Sequence, residues 1–311
     1  MEKQATILFA LGGNAILQPG QRGTPEEQRA NVRAACKHIA TVVRQGYCVV
    51  LTHGNGPQVG NLLIQNEETR ASVPPMPLDV CGAQTQGMIG YWFQQELASE
   101  LGSFRPIATI LTQVVVDPLD PAFQHPSKPV GPFYSAEKAA LLMEQAGWQM
   151  VEDAGRGWRR VVPCPEPQRI VELQQIKTLV NSGAVVIAAG GGGIPVATSN
   201  GRYYGVEAVI DKDLASQVLA SELGADLFVI LTDVPGVYLN YGTPRQQAIA
   251  QLTAKEAEVY LAEGHFRAGS MKAKVEAAVR FVKSGSGEAV ITRLDAAIDA
   301  VEGRAGTRFI A

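Results

Sequence analysis

The chain has 311 residues, 46% hydrophobic and 18% charged, with 32 glycines, which provides for a sizeable core and excludes the disordered and fibrous classes. A formal charge of −3 without any Lys/Arg run excludes a nucleic-acid backbone or an anionic membrane surface as the main partner, so any bound anion must be held locally. Cys36, Cys48, Cys81 and Cys164 lie far apart with no C-x-x-C pair; they signal neither a zinc site nor a disulfide framework and read as reduced thiols, mostly in the core.

Met1 to Leu11 carries no basic leader region and no cleavage-like site, and no apolar stretch reaches spanning length, so a cytoplasmic location is expected. Ala5 to Leu11 is a continuous apolar run ending at Gly12 and Gly13, the pattern of a strand buried on both faces of a parallel sheet. Thr24, Pro25 and Glu27 then stand as N-cap, first helical residue and capping-box partner of a helix whose apolar face is Val32, Cys36, Ile39 and Val43. Tyr47 to Leu51 reads as a second strand, closing into Thr52-His53-Gly54-Asn55-Gly56-Pro57, and Leu78 to Leu101 as a long helix. Ile107 to Val116 is read as one strand. From Asp117 the chain turns proline-rich around a helix near Ala136 to Gln145, which predicts an inserted lid subdomain over about 117–168.

The α/β alternation resumes with a helix at Gln168 to Asn181 and an apolar strand, Ala184 to Ala189, ending in Gly190-Gly191-Gly192-Gly193. Leu227 to Leu231 ends likewise in Thr232-Asp233-Val234-Pro235-Gly236. Helices at Thr253 to Glu263 and Ser270 to Lys283, a strand at Glu288 to Thr292 and a short final helix complete a three-layer α/β/α sandwich around a mainly parallel open sheet.

In such a sheet ligands bind beyond the carboxyl ends of the strands. Four strands here end in Gly-rich or Thr-Asp turns, where backbone N–H groups approach an anion closely, so a polyphosphate or similar substrate is indicated. No G-x-x-x-x-G-K-[ST] string occurs and the first turns miss the G-x-G-x-x-G fingerprint, so phosphoryl transfer here needs separately placed lysines and a metal ion. Lys128, Lys212 and Lys274 stand in unusual contexts and are candidate clamps. Asp211 and Asp213 flank Lys212; in an extended segment both carboxylates point one way and Lys212 the other, with Asp213 also suited to cap a helix at Leu214. His53 lies beside a glycine turn, but His38, His125 and His265 are scattered, and no histidine is assigned to catalysis.

With these stretches in view, the chain resembles the carbamate kinases of the amino acid kinase superfamily nearly end to end. The resemblance rests on Leu11-Gly12-Gly13-Asn14-Ala15, Thr52 to Gly60, Gln86-Gly87-Met88-Ile89-Gly90-Tyr91, Lys128-Pro129-Val130-Gly131, Gly155 to Val162, Gly190 to Pro195 and Val209 to Leu214. It implies reversible phosphoryl transfer between ATP and carbamate, used for ATP formation in arginine, purine or other amino-acid breakdown. It further implies an acceptor lobe over about 1–183, a nucleotide lobe over about 184–311, the lid at 117–168, and a homodimer. Lys128 would be the lid lysine on the substrate side, and Lys212 and Lys274 the phosphate clamps with Asp211 as their organiser. Gly12, Gly13, Asn14, Gly54, Asn55 and Gly56 would cradle the acceptor and the transferring group. Thr232, Asp233, Tyr238 and Met271 would line the nucleotide pocket, with Mg2+ carried by ATP or ADP and not by protein ligands.

Three positions depart from the family's pattern: Val234 to Val237 replaces a more polar stretch, Thr243 stands where a lysine is common before Pro244, and Ala273 replaces a proline before Lys274. Two other readings share these residues. One is a kinase of the same superfamily with another acceptor, such as acetylglutamate or a nucleoside monophosphate, which Asp233-Val234-Pro235-Gly236 favours and Lys128 opposes. The other is a binding or sensor protein on the same fold, which the retention of all three lysines opposes.

Overall fold

The computed structural model describes residues 4–153, 155–266 and 271–311. The first strand, β1 (Thr6–Leu11), is buried along its whole length. Side chains alternate across it, sending Ile7, Phe9 and Leu11 to one core and Leu8 and Ala10 to the other. The chain continues with α1 (Pro25–Arg44), β2 (Cys48–His53), α2 (Gly56–Glu68), α3 (Leu78–Leu101), β3 (Ile107–Thr109) and β4 (Gln113–Val115). Then come β5 (Lys128–Tyr134), α4 (Ala136–Ala146), β6 (Gln149–Glu152), β7 (Trp158–Val162), β8 (Arg169–Ile170), α5 (Leu173–Asn181) and β9 (Val185–Ile187). β10 (Ile194–Ser199), β11 (Arg202–Gly205), α6 (Lys212–Leu223), β12 (Leu227–Thr232), β13 (Val237–Leu239) and β14 (Gln247–Ile249) follow. The last elements are β15 (Gln251–Thr253), α7 (Ala254–Ala262), α8 (Met271–Lys283), β16 (Glu288–Arg293), α9 (Ala297–Val301) and β17 (Thr307–Ile310).

Eight strands form the central sheet in the order β15-β17-β16-β12-β1-β2-β9-β3. The six from β16 to β3 are parallel, β17 runs antiparallel to β16, and β15 is parallel to β17. Helices α1, α3 and α9 cover one face and α5, α6, α7 and α8 the other, making the three layers expected. Each fully buried Ile, Leu or Phe on these faces contributes about 1.5–3 kcal/mol, and Phe228 on β12 packs its ring 5.5 Å from that of Phe281 on α8. The capping box of α1 forms as read: Glu27 N–H donates to Thr24 Oγ1 at 3.3 Å, and Thr24 N–H to Glu27 Oε2 at 3.0 Å. Thr253 and Glu256 make the same pair at α7.

The proline-rich stretch contains a small antiparallel sheet, β5-β7-β6, with α4 beside it. It rests on the body through a separate apolar cluster in which Val130 and Val162 meet Val59, Leu63, Leu78 and Cys81. Arg160 of β7 also reaches Glu207, at 2.6 Å, which in turn accepts the Leu78 N–H.

Local readings gave way to long-range packing in several places. Ile107 to Val116 is two strands in two sheets: β3 joins β9, whereas β4 pairs with β10 and β8. The break is held by Gln86, whose amide accepts the Thr112 N–H at 2.8 Å and donates to Thr112 O at 3.1 Å. The helix expected from Gln168 starts only at Leu173, because Gln168 and Val171 N–H groups bond Val115 O and Gln113 O in sheet fashion. The final helix is followed by β17, and the hairpins β10-β11 and β13-β14 stand where no strand was expected. β9 inserts between β2 and β3, so the central sheet runs unbroken across residue 183. The expected helix start at Ser270 lies outside the described residues. Cys36 and Cys81 are buried, Cys48 and Cys164 are half-buried, and all four thiols are free. No helix among the described residues is long and apolar enough to cross a membrane.

Candidate active site

The parallel strands deliver their carboxyl ends to one edge, and the glycine turns meet there. Gly12 N–H donates to Leu231 O at 3.0 Å and Gly54 N–H to Leu11 O at 3.1 Å, continuing the ladder past the strand ends. A Cβ on Gly12 would stand 3.1 Å from Leu231 O and one on Gly54 3.3 Å from Gly13 N, so these turns pack backbone on backbone. Helix α2 begins at Gly56, directly after the β2 turn, and its first amides have no intrahelical acceptor. Asn55 at its N-cap makes no capping bond and instead donates Nδ2–H to Thr85 Oγ1 at 2.8 Å.

Lys212, at the first position of α6, and Lys274, on α8, converge on one carboxylate. Asp213 Oδ2 accepts Lys274 Nζ at 2.8 Å, and Asp213 Oδ1 lies 2.7 Å from Lys212 Nζ. The second contact is off hydrogen-bond angle, so Lys212 Nζ and Asp213 Oδ1 are buried without a hydrogen-bond partner among the described residues. Burial alone would raise the Asp213 pKa, but Lys212 and Lys274 hold it down to about 2. Burial lowers the pKa of Lys212, against the opposing pull of Asp213 and with the charge of Lys274 adding to the fall. Ser216, one turn on, donates to Lys212 O at 2.6 Å and meets Thr52 Oγ1 at 2.6 Å, tying α6 to the end of β2.

This corrects the expected helix cap. Asp211, not Asp213, is the N-cap of α6, accepting the Asp213 N–H at 2.9 Å. Its other oxygen takes Lys128 Nζ, from β5 of the small sheet, at 3.0 Å. The segment is a helix start and not an extended strand, so Lys212 and Asp213 meet instead of pointing apart. Burial pulls the Lys128 pKa down, yet the Asp211 carboxylate prevails and leaves it raised.

Three cavities surround this cluster. One of about 240 Å³ is lined by Gly54, Asn55, Gly56, Lys128, Asp211 and Lys212 among others. A second, of about 550 Å³, brings Gly12, Gly13, Asn14, Thr232 and Asp233 to Lys274. Asp233 continues into a third, of about 410 Å³, where Tyr238, Tyr241, Phe266 and Met271 supply an apolar and aromatic lining. Tyr238 and Tyr241 stand 5.8 Å apart, ring to ring. Two of the departures, Val234 and Thr243, line this third cavity, and Ala273 precedes Lys274 on α8.

All the residues singled out in the sequence therefore fall on these walls, but their grouping differs: Gly12, Gly13 and Asn14 share a cavity with Lys274, while Gly54, Asn55 and Gly56 share one with Lys128. Asp213, Gly191 and Arg159 of β7 were not assigned as site residues from the sequence, although all three line the smallest of these cavities. The Asp211-Lys212-Asp213 string was the available signal for Asp213, and only the helix start decides which aspartate does which. His53 is 1% exposed, stacks on Phe93 at 6.0 Å and donates Nδ1–H to Gly54 O; burial, helped by the charge of Lys212, lowers its pKa to about 4 and keeps it neutral.

A model of the amino acid kinase family matches residues 5–293. A carbamate kinase of Thermococcus kodakarensis is 54% identical over 310 residues, 98% of either chain. Carbamate kinase 2 of Enterococcus faecalis is 47% identical over 305 residues, 96% of this chain and 97% of its own. Among solved structures, carbamate kinase from Giardia lamblia bound to AMP-PNP superposes with a TM-score of 0.94 at 44% identity, covering 100% of this chain and 99% of that one. N-acetylglutamate synthase from Neisseria gonorrhoeae shares the fold alone, with a TM-score of 0.59 at 15% identity over 98% of this chain and 61% of that one.

Proposed function

The chain belongs to the amino acid kinase family, and we infer that it is a carbamate kinase, catalysing ATP + carbamate ⇌ ADP + carbamoyl phosphate. The observation that carries this reading is the meeting of Lys128, Lys212 and Lys274 on Asp211 and Asp213, between the small cavity and the one lined by Gly12, Gly13 and Asn14, which Asp233 shares with the aromatic-lined cavity. Carbamate sits in the small cavity, against the Gly54-Asn55-Gly56 turn and the first amides of α2. The nucleotide base takes the cavity of Tyr238 and Met271, and its phosphates run past Asp233 and Thr232 toward Gly12, Gly13 and Lys274.

A carbamate oxygen is already an anionic nucleophile, so no general base is needed. The work is to hold acceptor oxygen, phosphorus and leaving oxygen in line and to neutralise the charge that spreads over the equatorial oxygens. Lys212 suits this task because its buried ammonium has protons not engaged by Asp213. Lys274 stays oriented by Asp213 on the nucleotide side. Lys128 closes from the lid over the acceptor, held by Asp211.

Mg2+ is expected with the nucleotide. Asp211 and Asp213 are each engaged by lysines, which favours the phosphates as the ion's main ligands. Carried on the phosphates, the ion would supply charge neutralisation. The exposed Tyr91, Phe104 and Leu111, around the open β3 edge of the sheet, support the homodimer that the resemblance implies. A cytoplasmic setting suits four free thiols and a small-molecule substrate pair.

The test is a coupled assay of ATP formed from carbamoyl phosphate and MgADP. ATP production that is lost in Lys212→Ala supports the reading; folded wild-type protein that makes none at any substrate concentration refutes it.

A further inference from the structure

Carbamate and acetate are planar anions of similar size that differ in one group, an amine against a methyl, so a site selective for carbamate needs a hydrogen-bond acceptor facing the amine. We propose, building on the carbamate kinase activity inferred above, that Thr85 is the positioning residue for this selection. By fixing the side-chain amide of Asn55, it presents Asn55 Oδ1 to the amine.

Asn55 occupies the N-cap of α2, where an asparagine ordinarily accepts a bond from a helix amide, yet it makes none. Its Nδ2 instead donates to Thr85 Oγ1 at 2.8 Å, while the Thr85 hydroxyl donates to Gly82 O at 2.6 Å. A hydroxyl has one proton. With that proton on Gly82, Thr85 can only accept from Asn55, which sets the amide's orientation: NH2 toward Thr85, oxygen away from it. Oδ1 makes no hydrogen bond with the described residues, and Asn55 lines the acceptor cavity beside Gly54, Gly56, Lys128 and Lys212.

The loop after β9 backs the same amide. Gly191 has φ +66°, and a Cβ there would lie 2.2 Å from Asn55 Nδ2 and 2.6 Å from Oδ1. Backbone therefore approaches the amide more closely than a residue with a Cβ would permit, and it closes the Gly191 side of the amide. An amine placed in the cavity satisfies Oδ1; a methyl leaves it desolvated and unpaired, which is the costlier state.

The experiment compares phosphoryl transfer to MgADP from carbamoyl phosphate and from acetyl phosphate, in which a methyl replaces the amine. In both, the bond from phosphorus to the acyl oxygen breaks, a bond to a β-phosphate oxygen of ADP forms, and carbamate or acetate leaves. The ratio of kcat/KM for the two donors is expected to fall at least about fivefold in Thr85→Val, the weight of one neutral hydrogen bond, through loss with carbamoyl phosphate alone. Thr85→Ser, which keeps the hydroxyl, restores it. Thr85→Ala carries the same test should the valine variant not fold. With an active wild type, an equal loss for both donors or an unchanged ratio overturns the role of Thr85. Wild-type protein that makes no ATP from carbamoyl phosphate overturns the activity itself, and this proposal with it.

Discussion

Replacing Asp213 by Asn removes one charge and leaves two ammonium groups facing each other in a buried site. The carboxylate is 4% exposed and lies 2.7 and 2.8 Å from Lys212 and Lys274. At an effective dielectric of ~20, each contact at about 3 Å has a gross attraction of roughly 5 kcal/mol, most of it offset by the desolvation of all three groups. What remains on breaking such a pair is the stranded charge, about 3–5 kcal/mol. Against a total stability of about 5–15 kcal/mol this is a large fraction, and the urea midpoint should drop accordingly. The amide also stops opposing the burial of Lys212, so its pKa falls further and both lysines lose their orientation. Loss of one preorganised electrostatic group costs about 10²–10³ in kcat, and the same is expected in the ATP-forming assay. The two readouts are independent, since unfolding is followed by circular dichroism and the rate is measured on the folded fraction. If Asp213→Asn unfolds within about 1 kcal/mol of wild type and keeps its rate within about threefold, the carboxylate does not organise the clamp.

Lys128→Met should raise KM for carbamoyl phosphate and reduce kcat/KM by about 10²-fold while KM for MgADP holds, because Lys128 lines the acceptor cavity and not the nucleotide cavity; an equal change in both KM values would count against that placement. Gly191→Ala forces a Cβ to within 2.2 Å of Asn55 at a positive φ, so activity should fall at least about tenfold with a thermal midpoint only a few degrees lower, which steady-state kinetics and calorimetry check together. On the alkaline side, kcat should fall below the pH at which an exposed lysine titrates, because burial lowers the pKa of Lys212 while Lys128 is raised and stays charged; a profile flat to pH ~10.5 would contradict the burial argument. On the acid side, Asp213 is held down to about 2, so its contribution to stability is full above its unfolded pKa and is lost as pH falls from about 4 to about 2, a window that acid denaturation of wild type against Asp213→Asn resolves.

The sequence alone determined what depends on neighbours along the chain. Runs such as Thr6 to Leu11 and Leu227 to Thr232 are apolar without alternation, which only a strand covered on both faces tolerates, and the turns that end them mark the edge where the candidate site lies. Thr24 with Glu27 and Thr253 with Glu256 mark helix starts because a capping box is complete within four residues. The three lysines stood out through their unusual contexts and the family resemblance, and they meet at the candidate site.

Tertiary structure decided the partners. Lys128 meets Asp211 across 83 residues and Lys274 meets Asp213 across 61, and no local pattern says which lysine takes which carboxylate. That assignment follows from where α6 starts: the N-cap at Asp211 turns Asp213 inward to the buried lysines and leaves Asp211 facing Lys128 of β5. The break at Ile110 to Thr112 was equally hidden, since β3 and β4 read as one mostly apolar run and part where Gln86, on the preceding helix α3, claims the Thr112 backbone. Periodicity reports which side of an element is buried; it carries no information on what lies opposite, and in this site the chemistry resides in what lies opposite.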